Sequence, residues 1–258
     1  MSGEEFVRQK ESCEECVASL FERCRESGDV HYVASGGKGH TLFNSKRTTE
    51  TPRWYNRSMG IYAIKPAFQR TLAPVTRWCI ANQVSPTLLN ALGLVASALM
   101  AACLILSSYQ PLILLAIPPL AFVRTALNAL DGLVSREMGT ASGWGELLNE
   151  FLDRLSDTLI FLPLFLVPGV DDVAVLGALA LILLNSYLSI ASKAAGGVRL
   201  YGGAVGKADR MIYLSITSVL VVAFEDPRFF TIFLLAMMCL TAVTLLQRLA
   251  AARRALLT

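Results

Sequence analysis

Residues 124–157 read RTALNALDGLVSREMGTASGWGELLNEFLDRLSD, and they carry charge where the surrounding chain is strongly apolar. PLILLAIPPLAFV (111–123) precedes the stretch and TLIFLPLFLVP (158–168) follows it, neither with a charged residue. Within it, Arg124, Asn128, Asp131, Glu146, Asn149, Glu150, Asp153, Arg154 and Asp157 fall inside or at the edge of segments apolar enough to enter a bilayer. An ionised side chain near a bilayer centre costs roughly 2.5–3.5 kcal/mol on insertion scales, so such groups face a cavity and serve a function. Helical spacing gathers them. Asn128, Asp131 and Ser135 lie three and four apart and share one face, while Gly145, Asn149, Asp153 and Asp157 recur every four residues and form one stripe. Gly132 and Gly145 leave room for close backbone approach or a ligand. The short connection 137–144 makes the two helices antiparallel neighbours whose polar stripes face each other near one end.

Working outward, 54% of the 258 residues are hydrophobic and 17% are charged, too few charges for the surface of a soluble chain. A helix needs about 20 apolar residues to cross a bilayer. Six such segments are predicted, at 85–107, 111–135, 145–168, 173–195, 209–224 and 229–248, with Pro86, Pro111 and Pro168 suited to helix ends. Residues 61–81 alternate apolar groups with Lys65, Arg70 and Arg77 and place Trp78 beside the first span, as in an amphipathic helix lying in the interface. Pro66 and Pro74 argue against one uninterrupted helix there. The predicted fold is therefore an all-α integral membrane protein with six transmembrane helices and an N-terminal interfacial helix. Residues 1–60 form a polar extension, with 9 basic and 9 acidic residues, and residues 61–258 the membrane domain. Arg136, the basic residues of 193–210, and Arg248, Arg253 and Arg254 place both termini in the cytoplasm; Arg228 is the exception.

Carboxylates and amide oxygens without nearby His or Cys favour a hard cation, Mg²⁺ or Mn²⁺, which keeps positions for water or phosphate oxygens. A phosphate or pyrophosphate substrate is the expectation. The competing interpretation is a helix pair held by buried salt bridges from Arg124, Arg136 or Arg154.

The same residues carry a family resemblance. The chain reads Asn128-x2-Asp131-Gly132-x2-Ser135-Arg136-x8-Gly145-x3-Asn149-x3-Asp153. This resembles the Asp-x2-Asp-Gly-x2-Ala-Arg-x8-Gly-x3-Asp-x3-Asp signature of the CDP-alcohol phosphatidyltransferases, with every spacing kept. The resemblance covers roughly residues 61–250. It implies displacement of CMP from a CDP-linked lipid or alcohol, such as CDP-diacylglycerol, by an acceptor alcohol, in phospholipid biosynthesis. It further implies metal binding by Asn128, Asp131, Asn149 and Asp153, with Asp153 as general base. Asp131, Gly132, Ser135, Arg136 and Gly145 would border the nucleotide. A homodimer within membrane lipids, with no nucleic-acid partner, is the implied assembly. Three positions depart from the signature: Ser135 replaces Ala, and Asn128 and Asn149 replace Asp. The Asn pair, with the strings NALDG, LNE and GKADR, looks most like a little-characterised bacterial branch of the family. Glu150 and Asp157 are candidate auxiliary carboxylates that would restore charge.

The loop 193–210, KAAGGVRLYGGAVGKADR, brings glycines and basic residues together, so Arg199, Lys207 and Arg210 are candidates for binding an acceptor or phosphate. In the extension, residues 4–27 suggest a surface helix, and residues 34–60 a flexible linker. Cys13, Cys16, Cys24, His31 and His40 fit no usual zinc spacing. Besides the transferase, the sequence leaves open a catalytically weak or dead relative that binds CDP-lipid or metal. A membrane transporter is a third class, against which the lack of an inverted repeat weighs.

Overall fold

Proline and capping residues mark where the helices begin in the computed structural model, which describes residues 33–35, 40–42, 65–140, 142–197, 200 and 202–257. The chain divides into two units, Met1–Glu50 and Thr51–Thr258. In the first, strands β1 (Val33–Ser35) and β2 (His40–Leu42) pair antiparallel, with Val33 opposite Leu42. A short ladder thus stands within the stretch predicted as linker, where Val33 and Thr41 favour extended backbone. The surface helix expected over 4–27 and the residues Cys13, Cys16, Cys24 and His31 lie outside the described residues.

The second unit is helical. Helix α1 (Lys65–Ala81) runs unbroken through Pro74, contrary to the sequence expectation. Pro74 sits on the exposed face, while Leu72, Thr76 and Cys79 form the buried stripe that packs on α3. The lost N–H is therefore one on the solvated side, and the packed face is undisturbed. Trp78 is exposed on the opposite side.

Helix α2 (Pro86–Leu106) starts on Ser85, whose hydroxyl accepts from Leu88 N, with proline in the first turn. A 3₁₀ turn (Pro111–Ala116) leads into α3 (Ile117–Glu137), and α4 (Gly143–Phe161) ends in another (Leu162–Leu166). Pro118 and Pro119 in the first turn of α3 and Pro163 in the second 3₁₀ segment lie at these changes of winding. Helices α5 (Asp172–Ala194), α6 (Lys207–Phe224) and α7 (Arg228–Leu257) complete the unit. Helix α7 is 30 residues long and continues past the predicted end at 248 to include Arg253 and Arg254. Cys79, Cys103 and Cys239 are all free thiols.

Four segments, Pro111–Glu137 and helices α2, α5 and α7, are long and apolar enough to cross a membrane. The other two predicted spans fall on α4 and α6, the helices that carry the charges: Glu146, Glu150, Asp153, Arg154 and Asp157 on one, Lys207, Asp209 and Arg210 on the other. Helix α2 buries Gly93, Ala96, Ser97 and Ala101, small residues that let α3 and α4 approach closely. Its opposite side exposes Leu88, Leu92, Val95, Leu99 and Leu106. In water that stripe would be an aggregation surface; facing lipid it is the expected exterior. Met100, Leu104, Ile117, Phe161, Leu164, Ile182 and Phe230 fill the core between α2, α3, α4, α5 and α7.

Candidate active site

The site is built on the facing stripes of α3 and α4. Helix α3 carries Arg124, Asn128 and Asp131 at helical spacing, and Asp131 is almost wholly buried. Helix α4 starts at Ser142, whose hydroxyl accepts from Gly145 N at 3.1 Å. That cap fixes the register that sends Asn149, Asp153 and Asp157 toward α3. The two stripes meet where Asn128 Nδ2 donates to Asp153 Oδ1 at 3.1 Å. Lys207, the first residue of α6, holds the other oxygen, Asp153 Oδ2.

One turn along α4, Asp157 has a side chain with no exposure and gathers guanidiniums from three helices. Arg210 Nη2 of α6 donates to Oδ2 at 2.7 Å, Arg154 Nη1 of α4 to Oδ2 at 3.4 Å, and Arg124 Nη2 of α3 to Oδ1 at 3.3 Å. Arg124 Nε also donates to Ser97 Oγ of α2 at 2.8 Å. Four helices are thereby tied to one carboxylate. Arg154 pairs in addition with Glu150. The candidate auxiliary carboxylates are paired with arginines: Asp157 with the buried Arg124 and Arg210 and the half-buried Arg154, and Glu150 with Arg154. Paired ions of this kind are tolerated in a low-dielectric interior only when closely compensated; Asp157 accepts from three arginines, while Arg154 Nε and Arg210 Nε have no hydrogen-bond partner among the described residues.

The remaining predicted residues are distributed around this centre. Gly132 N donates to Asp131 Oδ1 at 2.6 Å, and a Cβ built on Gly132 would lie 3.6 Å from Arg136 Nη1, so this guanidinium passes directly over the glycine. Arg136 is exposed and Ser135 half-buried, both in the last turns of α3. Gly145 is exposed in the first turn of α4, where its role is the cap. Asn149 is half-buried, one turn before Asp153 on α4. Arg199 lies outside the described residues. Arg210 is buried on Asp157, so of the two described basic candidates Lys207 is the one brought to Asp153.

Two participants escaped sequence reasoning. Asn90 of α2 lies beside the Asp131 carboxylate. Gly93, one turn on, leaves space above Asn128: a Cβ there would fall 3.1 Å from its Oδ1. The only signal was a polar and a small residue in an apolar helix.

The approach to Lys207 is held from α5 and α7. Ser189 Oγ donates to Leu200 O at 2.7 Å, Arg248 Nε to Gly202 O at 3.0 Å, and Val205 N donates to Thr244 Oγ1 at 3.1 Å. Gly206 N donates to Asp209 Oδ2 at 2.6 Å and closes the start of α6. Lys207 therefore emerges from an anchored backbone.

The donor set suits a hard cation. Asp131, Asp153 and the amide of Asn128 offer oxygen only, as Mg²⁺ or Mn²⁺ requires. Among the described residues no three His, Cys, Asp or Glu side chains gather as a metal-holding group, so amide, water or substrate oxygens would complete the coordination.

No family model matches the sequence. The chain is 32% identical to the inner membrane protein YnbA of Escherichia coli (strain K12) over 168 residues, which span 65% of this chain and 83% of YnbA. Among solved structures, the phosphatidylinositol phosphate synthase of Mycobacterium tuberculosis with CDP-DAG bound superposes with a TM-score of 0.60 at 24% identity, covering 71% of this chain and 94% of the synthase. The same enzyme in complex with manganese and citrate gives 0.59 at 23% identity, over 70% and 88% of the two chains. At these identities the likeness is one of fold; the neighbours themselves belong to the CDP-alcohol phosphatidyltransferase family.

Proposed function

The chain belongs to the family of the Escherichia coli inner membrane protein YnbA, and from that premise we propose that it is a CDP-alcohol phosphatidyltransferase of a bacterial inner membrane. It transfers a phosphoalcohol group from a CDP-alcohol such as CDP-diacylglycerol to an acceptor alcohol and releases CMP. One observation carries this reading. The spacing from Asn128 to Asp153 folds onto two antiparallel helices so that Asn128 hydrogen-bonds Asp153, within the fold of a synthase solved with CDP-DAG.

In this function residues 61–258 form the catalytic domain and residues 1–60 a cytoplasmic extension. Helices α4 and α6 complete six spans with both termini cytoplasmic, and α1 lies in the interface. The enzyme acts as a homodimer. Asp131 and Asp153, with Asn128 and Asn149, would hold Mg²⁺ or Mn²⁺, a reading supported by the all-oxygen donor set, and a bound ion would supply positive charge for diphosphate oxygens. Arg136, exposed above Gly132, places its guanidinium beside the nucleotide phosphates, with Ser135 and Gly145 at the rim. Asp153 takes the proton of the acceptor hydroxyl as that oxygen attacks the phosphorus. Lys207 orients the acceptor or its phosphate, a role proposed for Arg199 as well, while Arg210 holds α6 in place through Asp157. A second reading, a binding protein without turnover, draws support from the double engagement of Asp153 by Asn128 and Lys207.

The test is CMP release by the purified protein in nanodiscs with CDP-diacylglycerol, Mn²⁺ or Mg²⁺ and a panel of alcohols. CMP formed with one acceptor supports the transferase. CDP-lipid binding without CMP for any acceptor supports the binding protein.

A further inference from the structure

We infer, on the reading just given, that the site takes one divalent cation per chain and that Lys207 supplies the positive charge a second metal ion would otherwise bring. Among the described residues of α3 and α4, the carboxylates not paired with an arginine at this site are Asp131 and Asp153. Their neighbours on the stripes, Asn128 and Asn149, are neutral, and the nearest other acids are taken: Glu150 by Arg154, and Asp157 by Arg124, Arg154 and Arg210. A pair of metal ions about 3.5–4 Å apart works as a symmetric clamp on attacking and leaving oxygens. Such a clamp needs carboxylates free to ligate both ions. On Asp153, one oxygen receives Asn128 Nδ2 at 3.1 Å and the other receives Lys207 Nζ.

The charges balance at one ion. Asp131, Asp153 and the two ionised oxygens of a diphosphate diester bring four negative charges. One divalent cation, Lys207 and Arg136 bring four positive ones. A second divalent cation would leave two charges uncompensated beside carboxylates that are 5% exposed, in a region where each such charge is costly. Lys207 can fill this role because its position is built in. The backbone leading to it is tied to Ser189, Arg248 and Thr244, and Arg210, one turn later on α6, is locked on Asp157.

The experiment is a Mn²⁺ titration of the full chain in nanodiscs, with and without CDP-diacylglycerol, following the free-ion signal by electron paramagnetic resonance. One Mn²⁺ per chain is expected in both conditions; zero or two overturns the inference. Lys207→Met should tighten that site by about tenfold or more, because a like charge next to Asp153 is removed. Unchanged affinity in a folded Lys207→Met or Lys207→Gln protein would overturn the role given to the lysine, and the wild-type count stands as a test whether or not either variant folds. CMP release measured on the same samples separates the two ideas: turnover with two ions bound sinks the stoichiometry and keeps the transferase. One ion bound without turnover for any acceptor does the reverse.

Discussion

Asp157→Asn is the perturbation with the largest structural consequence. The side chain of Asp157 has no exposure, and it compensates Arg124, Arg154 and Arg210 with contacts of 3.3, 3.4 and 2.7 Å. With Glu150 included, the cluster carries two acids against three guanidiniums, a net +1; the asparagine raises this to +2 with almost no change in volume. Removing one partner of a buried ion pair costs about 3–5 kcal/mol, and at this chain size each kcal/mol moves Tm by about 2–4 °C, so a fall of roughly 6–20 °C is expected. The assay is thermal unfolding in nanodiscs, read by loss of the monodisperse species. The double variant Asp157→Asn, Arg210→Met returns the cluster to +1 and should recover part of the loss, a coupling that independent sites would not show. A melting temperature for Asp157→Asn within about 1 °C of wild type would refute the hub, because no solvent reaches this carboxylate to take its place.

Three further outcomes follow from the geometry. Asp153→Asn keeps a similar shape but loses the charge and the proton acceptor, so CMP release should fall by about 10²–10⁴-fold with a smaller change in Tm than Asp157→Asn gives. Chelation with EDTA should abolish CMP release, and Mg²⁺ or Mn²⁺ should restore it; full activity in the chelator contradicts the donor assignment. Two glycine substitutions should differ in sign. Gly203 has φ +137 and a Cβ there would sit 2.2 Å from Thr244 Cγ2, so Gly203→Ala should destabilise by about 1–3 kcal/mol. Gly177→Ala meets the mobile end of Met238 and gains helix propensity of up to about 1 kcal/mol, so it should be neutral or mildly stabilising.

Much of this architecture was legible because lipid imposes long apolar runs and punishes charge within them. The predicted segment at 85–107 and the helix Pro86–Leu106 agree to a residue at each end, since Ser85 and Pro86 form a cap with a local signature. The stripes of α3 and α4 were legible for the same reason: spacing within one helix is a property of the sequence. Contacts between helices distant in the chain were not. Nothing local says that Lys207 reaches Asp153, 54 residues away, or that Arg210 reaches Asp157 across 53. By its spacing Asp157 reads as a candidate auxiliary carboxylate of the metal site, whereas its partners are Arg154 of its own helix and Arg124 and Arg210 of two others. Pro74 misled in the opposite direction, because the rule against proline within helices assumes that the lost N–H matters for packing, and here it faces away from α3.

Asp153 and Asp157 occupy the same face of α4 one turn apart, yet their surroundings assign them opposite work. The deeper carboxylate meets three guanidiniums and has no exposed surface. The shallower one meets one ammonium and one amide, and lies toward the end of α4 where Glu146 is exposed and Asn149 half-buried. The two are also coupled mechanically. Lys207 and Arg210 are three residues apart on α6 and address carboxylates four apart on α4, so both pairs form only when the two helices hold one axial register. The ties before Lys207 and the Arg210–Asp157 pair thus hold that register from two sides. In this fold the structural ion cluster and the candidate metal site are two ends of one α4–α6 alignment.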